Sequence, residues 1–210
     1  ARETGIDIVS EMLRMSTTVP VINLKPALLS AKENAQVFYK TDTHWNDAGA
    51  YQGYRSLIKE LNRLGYLDSA PIEIKTRDAT HLGDMSTLMG DEKLLPPEDF
   101  KQTIIFDPNA REILSGATYS KLSAIREENQ LPDVSLYSNP EEKKTALIFG
   151  DSFFGMWQIR SLLAEHFSRT VFAWSPVILP ELIDLVQPDI VIFERTERNL
   201  DHLSDSDDAL

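Results

Sequence analysis

Ile6, Val9, Met12 and Leu13 recur at helical spacing and predict an amphipathic helix from Ile6 to Met15. Pro20 bounds it. Val21 to Leu24 reads as a short strand, and Pro26 to Asn34 suits a helix with proline in its first turn. Val37 to Lys40 is extended. Asn46 is a suitable N-cap for the next helix, where Tyr51, Tyr54, Leu57, Ile58, Leu61 and Leu64 form one apolar face and Gly65 marks the end.

The pattern weakens between residues 67 and 140, where strands are predicted at Ile72 to Lys75 and Thr103 to Phe106 among Pro96, Pro97, Pro108, Pro132 and Pro140. That stretch reads as a variable insertion. Order returns at Thr145 to Phe149, a continuous apolar run of the kind expected for a strand buried on both faces. Gly150-Asp151-Ser152 makes a turn, and Phe154 to Phe167 reads as one helix, with Trp157, Leu162 and Leu163 apolar and His166 near its end. Thr170 to Trp174, Pro180 to Val186 and Ile190 to Phe193 continue as strand, helix and strand, the last entered through Pro188-Asp189. Strands alternating with helices predict an α/β fold with a mostly parallel sheet. Ligands of such sheets sit beyond the carboxyl ends of the strands, which is where Ser152 falls.

A length of 210 residues suits one domain spanning the chain, and 42% apolar residues can fill its core. No apolar stretch reaches the ~18 to 20 residues of a membrane span, and no signal pattern opens the chain. The start at Ala1 suggests trimming, with any targeting segment upstream. The absence of cysteine excludes disulfides, thiolate metal sites and cysteine nucleophiles. A formal net charge of -12 argues against nucleic acid as a partner. Part of that excess is the tail from Asp201 to Asp208, which reads as a solvated end.

The candidate chemistry lies in two motifs, Thr41-Asp42-Thr43-His44-Trp45-Asn46 and Gly150-Asp151-Ser152-Phe153. A serine hydroxyl is a poor nucleophile near neutral pH, so acyl-transfer enzymes set a histidine against it and orient that histidine with a carboxylate. Ser152, His44 and Asp42 supply these parts, and residues two apart in an extended segment project to the same side. Each motif alone also describes ordinary structure: Gly-Asp-Ser a turn or helix cap, Asp-x-His a packed histidine before a helix. Their joint occurrence favours catalysis. Asp151 is expected to shape the turn, and the Ser152 N–H to serve as an oxyanion donor. A rival arrangement takes Asp42, His44, His81 and Asp84 as ligands of a metal, against Asp84 as the cap of a helix from Met85 to Met89. His166 and His202 read as solvated surface, and Trp45, Trp157 and Trp174 as core or site wall. Arg55, Arg195 and Arg198 read as surface or ion-pair residues, or as local positive charge beside the site.

Thr41 to Asn46, Gly49-Ala50-Tyr51, Gly83-Asp84-Met85, Gly150 to Phe153 and Glu194 to Leu200 resemble the alginate O-acetyltransferase AlgJ/AlgX family. That resemblance implies an SGNH-hydrolase-like domain whose catalytic blocks stand in reversed order, with the Asp and His block before the serine block. It implies acetyl transfer to an exported polysaccharide in the periplasm or cell envelope. The partners so implied are a polysaccharide acceptor, an acetyl donor and a membrane-bound acetyl-transfer protein, with no cofactor and no metal. Where the family often carries a tyrosine, this chain has Asn199, read either as a hydrogen-bond donor at the site or as a helix-start residue, and Trp45 is read as support for the site or as core. The family's longer segment before the first motif suggests further strands upstream. An acetylesterase on the same three residues and a non-catalytic polysaccharide-binding module are the alternative functions.

Overall fold

The computed structural model describes residues 5–90 and 93–200, so the acidic tail and His202 lie outside the described residues. Helices α1 (Gly5–Ser16), α2 (Lys25–Lys32) and α3 (Asp47–Arg63) precede every strand. The predicted first helix is present, but its Ile8, Met12, Leu13 and Met15 side chains are exposed rather than in the core. Val21 to Leu24 is not a strand: no strand among the described residues pairs with it, and Ile22 and Leu24 instead pack against the cluster built on α3. Likewise Val37 to Lys40 makes only an isolated bridge, between Phe38 and Trp45. That bridge folds the first motif back on itself.

Helix α3 starts as its sequence predicts. Asn46 Oδ1 accepts from the Gly49 N–H at 3.0 Å, Asn46 Nδ2 donates to the Gln36 carbonyl at 2.8 Å, and Gly65, at φ 78°, follows the C-cap. Gly49 is required by close approach, because a Cβ there would lie 2.1 Å from the Val37 carbonyl oxygen. The motif loop and the helix can therefore touch backbone to backbone.

Residues 67–140 divide between two places. Strands β1 (Ile74–His81) and β2 (Glu98–Ile105) form a separate antiparallel ribbon with α4 (Asp84–Met89) between them. After it come β3 (Arg111–Glu112), α5 (Ala117–Glu128) and β4 (Val134–Ser138), and both strands belong to the main sheet. The rest of the sheet is β5 (Thr145–Gly150), β6 (Arg169–Trp174) and β7 (Ile190–Phe193), in the order β3-β4-β6-β5-β7. β5 runs parallel to β6 and β7, whereas β4 is antiparallel to β3 and β6, so the sheet is mixed and its parallel part carries the serine.

β5 is buried on both faces, and its alternate residues point into different clusters. Ile148 joins Tyr54, Ile58, Leu162 and Phe172 under α3 and α7 (Ile159–Ala164). Leu147 and Phe149 join Leu122, Val171 and Leu182 under α5 and α8 (Pro180–Val186). Each wholly buried Leu or Phe of these layers contributes about 1.5–3 kcal/mol of transfer energy. No helix among the described residues is long and apolar enough to cross a membrane.

The helix predicted from Phe154 to Phe167 is broken. A single turn, α6 (Ser152–Gly155), gives way to Trp157 and Gln158, both with positive φ (60° and 62°), before α7 begins. Side chains in that conformation cost on the order of 1–3 kcal/mol each, and the break turns the Trp157 indole toward the first motif. His166 is not on the surface as expected but 2% exposed, held between Tyr54 and Ser69. Tyr54 Oη lies 2.7 Å from His166 Nε2 and also accepts from the Ile72 N–H, while Ser69 Oγ lies 2.8 Å from Nδ1, so both ring nitrogens are partnered.

Burial holds the His166 imidazole down at about 4. Between pH 6.5 and 4 the unfolded chain binds a proton there that the folded chain does not, so stability falls as pH falls through that window. We expect a loss of up to about 3 kcal/mol from this group, and a visibly shallower pH slope in His166→Gln. Urea midpoints measured from pH 7 to 4 check this; equal slopes in the two proteins would refute it.

Candidate active site

β5 has β6 on one side and β7 on the other, although both follow it in sequence, so its carboxyl end opens at a topological switch point. Ser152 stands there, two residues beyond Gly150. Asp151 shapes the turn: Oδ1 accepts from the Phe153 N–H at 2.9 Å, while Oδ2 accepts from the Thr196 N–H and hydroxyl and from Asn199 Nδ2. Burial pushes its carboxyl up, but those donors outweigh burial and hold it below the ordinary value. Glu194, at the end of β7, accepts from the Asp151 N–H at 3.0 Å. Enclosure and the neighbouring Asp151 charge push Glu194 up to about 8, so it is protonated at neutral pH.

The first motif meets this turn from the other side. His44 Nε2 is 2.8 Å from Ser152 Oγ, and His44 Nδ1 is 2.7 Å from Asp42 Oδ1. Because Asp42 can only accept, the Nδ1 atom carries the proton and Nε2 is left to accept from the serine hydroxyl. Asp42 has three further donors: the His44 N–H at 2.9 Å on Oδ1, then His81 Nε2 at 2.7 Å and the Asp84 N–H at 3.1 Å on Oδ2. Burial raises this carboxyl, yet the hydrogen bonds from His81, His44 and the backbone prevail and bring it down to about 2. It is charged at any pH where the protein would act.

The ribbon and α4 hold the loop in place. Glu98 Oε1 accepts from the Lys40 and Thr41 N–H groups at 2.8 and 2.9 Å and from the Thr41 hydroxyl at 2.8 Å. Asp84 accepts from the Thr43 N–H at 2.9 Å and from its hydroxyl, which corrects the expectation of a helix cap: Gly83 occupies the cap position of α4. The Met85 N–H donates to the Thr41 carbonyl at 3.2 Å, and a Cβ on Gly83 would lie 1.8 Å from that same oxygen.

The remaining expected residues separate. Trp45 is 3% exposed and packs edge-on against Phe153, with ring centroids 5.2 Å apart, so it is core beneath the site rather than its wall. Trp157 takes the wall position, 6.2 Å from the His44 ring and 4.9 Å from those of His81 and Tyr39. Asn199 does not present a donor to the serine; its amide is spent on Asp151 and Thr196, the charged carboxylate being the stronger acceptor. Arg198 reaches the serine instead, with Nη1 donating to Thr43 Oγ1 at 3.1 Å, Nη2 lying 3.4 Å from Ser152 Oγ, and its guanidinium over the Phe153 ring. Arg195 lies over Phe193 and Arg55 over Tyr51. Asp42, His44 and Asp84 each bring one donor atom within 4.8 Å of the others and so could hold a metal ion, while His81 is engaged with Asp42. An ion at that place would compete for the His44 nitrogen already bonded to Asp42.

The family model for the "SGNH hydrolase-like domain, acetyltransferase AlgX" matches residues 9–175. The probable alginate O-acetylase AlgJ of Pseudomonas aeruginosa is 26% identical over 204 residues, covering 87% of this chain and 49% of that protein. The chain thus spans about half the length of that relative. Among solved structures, the O-acetyltransferase domain of Pseudomonas putida AlgJ aligns with a TM-score of 0.58 at 22% identity, over 99% of this chain and 73% of that one. A DHHW family protein from Eubacterium siraeum aligns with a TM-score of 0.64 at 15% identity, over 92% of this chain and 69% of that one. At these identities the two structures speak for the fold.

Gly83→Ala should displace the Asp42 loop, since the overlap is with backbone rather than with a movable side chain. The expected cost is about 1–3 kcal/mol, with slowed labelling of Ser152 by a serine-directed sulfonyl fluoride. Chemical denaturation and labelling rates test it, and wild-type values for both would refute the role given to this contact.

Proposed function

The chain belongs to the AlgX family of SGNH hydrolase-like acetyltransferase domains, and we propose that it O-acetylates a polysaccharide through an acetyl-Ser152 intermediate. The observation that carries this reading is the continuous contact from Asp42 through His44 to Ser152, at 2.7 and 2.8 Å. Names of relatives such as the probable alginate O-acetylase support the acceptor class.

In the proposed reaction Ser152 Oγ attacks the carbonyl carbon of an acetyl donor while His44 Nε2 takes the hydroxyl proton. Asp42 keeps the ring oriented and balances the charge it gains. The oxyanion of the tetrahedral intermediate is met by the Ser152 N–H, which as the first of a helix has no intrahelical acceptor, and by Arg198 Nη2 beside it. Collapse breaks the bond to the donor's leaving group, which departs with the proton held by His44. A sugar hydroxyl then gives its proton to His44, attacks the acetyl-serine carbonyl, and leaves as the O-acetyl sugar when Ser152 recovers its proton. Water in place of the sugar gives an esterase. The acceptor is an exported polymer met in the periplasm or cell envelope, where a membrane-bound partner supplies acetyl groups.

Ser152→Ala, His44→Ala and Asp42→Ala should each slow acetyl release from an activated ester by roughly 10³-fold or more, and the losses should not add. Mass spectrometry after incubation with the ester and oligosaccharides tests both steps. Acetyl on Ser152 and O-acetylated sugar, both absent from Ser152→Ala, are expected. Free acetate alone would replace transferase by esterase, and turnover surviving in folded Ser152→Ala would remove the serine mechanism.

A further inference from the structure

His81 lies outside both sequence motifs, yet its Nε2 is as close to the Asp42 carboxylate as is His44 Nδ1, each at 2.7 Å. The two imidazoles take different oxygens, His44 on Oδ1 and His81 on Oδ2. Since a carboxylate only accepts, Nε2 of His81 carries a proton, as does Nδ1 of His44. The result is a histidine–aspartate–histidine row ending at Ser152.

The placement of His81 is built rather than incidental. Its ring is boxed by Tyr39 at 4.2 Å, Trp157 at 4.9 Å and Phe100 at 6.2 Å between centroids, and Trp157 reaches it from a left-handed backbone position. In the β1–β2 ribbon His81 pairs in register with Glu98. One rung therefore grips the motif loop twice, His81 by the Asp42 carboxylate and Glu98 by the Lys40 and Thr41 amides.

We propose that His81 is a positioning residue for the acyl transfer, acting through Asp42 on the orientation and proton affinity of His44. This rests on the serine reading given above. The His81 N–H on Oδ2 draws charge away from the oxygen that faces His44, so it tempers the carboxylate's hold on the proton His44 receives. Without it, Asp42 presents more charge to His44 and is fixed by fewer donors. The other ionisable groups facing His81 are Tyr39 from the motif loop and Asp47 from α3, with Glu98 its register partner on β2. Those facing His44 are Asp84 at 3.6 Å from Nδ1, together with Ser152 and Arg198 across the site.

The test is the rate of Ser152 acylation by an activated acetyl ester against pH, in wild type, His81→Phe and His81→Gln, each checked for folding by thermal melting. His81→Phe keeps the aromatic box but has no donor. It should acylate ten- to a hundredfold more slowly, with the rising limb moved up by about half a pH unit or more. His81→Gln, whose amide can donate to Oδ2, should recover part of both. A limb that does not move in His81→Phe, or a loss uniform in pH and equal in the two variants, would overturn the proposal and leave only a packing role. If His81→Phe does not fold, NMR of the intact protein labelled with 15N-histidine decides. Two downfield imidazole protons that are both lost in Asp42→Asn support the row, and a single one overturns it. Failure of wild type to acylate at Ser152 would instead overturn the serine reading, and this inference with it.

Discussion

Four donors converge on one carboxylate, and much of the local architecture exists to bring them there. Asp42 receives two hydrogen bonds from His44, one from His81 at the end of the ribbon and one from the backbone where α4 begins. A charge that is 8% exposed is costly to bury unless its lone pairs are satisfied. Two of these groups belong to His44 in the same loop, and the other two come from the ribbon and from α4. Folding the ribbon, starting α4 and orienting the proposed base are thus consequences of solvating one ion with protein.

Asp151 does the same on the serine side of the cleft. Its partners are the Phe153 amide, Thr196 and Asn199, so the turn that presents Ser152 is tied to the segment following β7. Glu194 stands behind it, and two carboxylates this close cannot both ionise cheaply. The proton stays on Glu194 because Asp151 has the better donors. In a chain of formal net charge -12, a guanidinium over Phe153 and against Thr43 sets a local field opposite to the global one. That field would favour the oxyanion of the proposed reaction at Ser152.

What could be read from the sequence was what local chemistry determines. The buried run of β5, the Asn46 cap, the apolar face of α3 and the two motifs depend on neighbours within a few residues, and their spacing is visible in one dimension. Val21 to Leu24 looked like a strand because apolar composition does not say whether a partner strand is available. The break at Trp157 and Gln158 was invisible for the opposite reason, since an apolar pattern continues through a helix whether or not the backbone turns left-handed between its turns. His166 reads as an exposed helix end until Tyr54 and Ser69, both distant in sequence, close around it. Glu98 has no local signal, and His81 reads from the sequence only as a metal ligand beside Asp42, not as a hydrogen-bond donor to it. Their roles depend on a pairing across the ribbon and on a loop 39 positions before His81 and 57 before Glu98.

The reversed order of the two motifs follows from how the first one is held. The loop from Thr41 to Trp45 is not part of the sheet, and among the described residues its only β contact is the bridge from Trp45 to Phe38 just before it. It reaches the serine turn through side chains instead: Trp45 on Phe153 below, His44 on Ser152 above, and Arg198 on Thr43 across the top. None of these contacts fixes a chain direction or needs a covalent neighbour. The sheet must deliver a strand end at the switch point, and for Ser152 that strand is β5. The carboxylate–imidazole block has only to be docked against it, by α3 on one side and the ribbon on the other. Proximity in such a site is a property of the packed layers, so a separation of 108 positions between His44 and Ser152 is compatible with a 2.8 Å contact, whichever block the chain meets first.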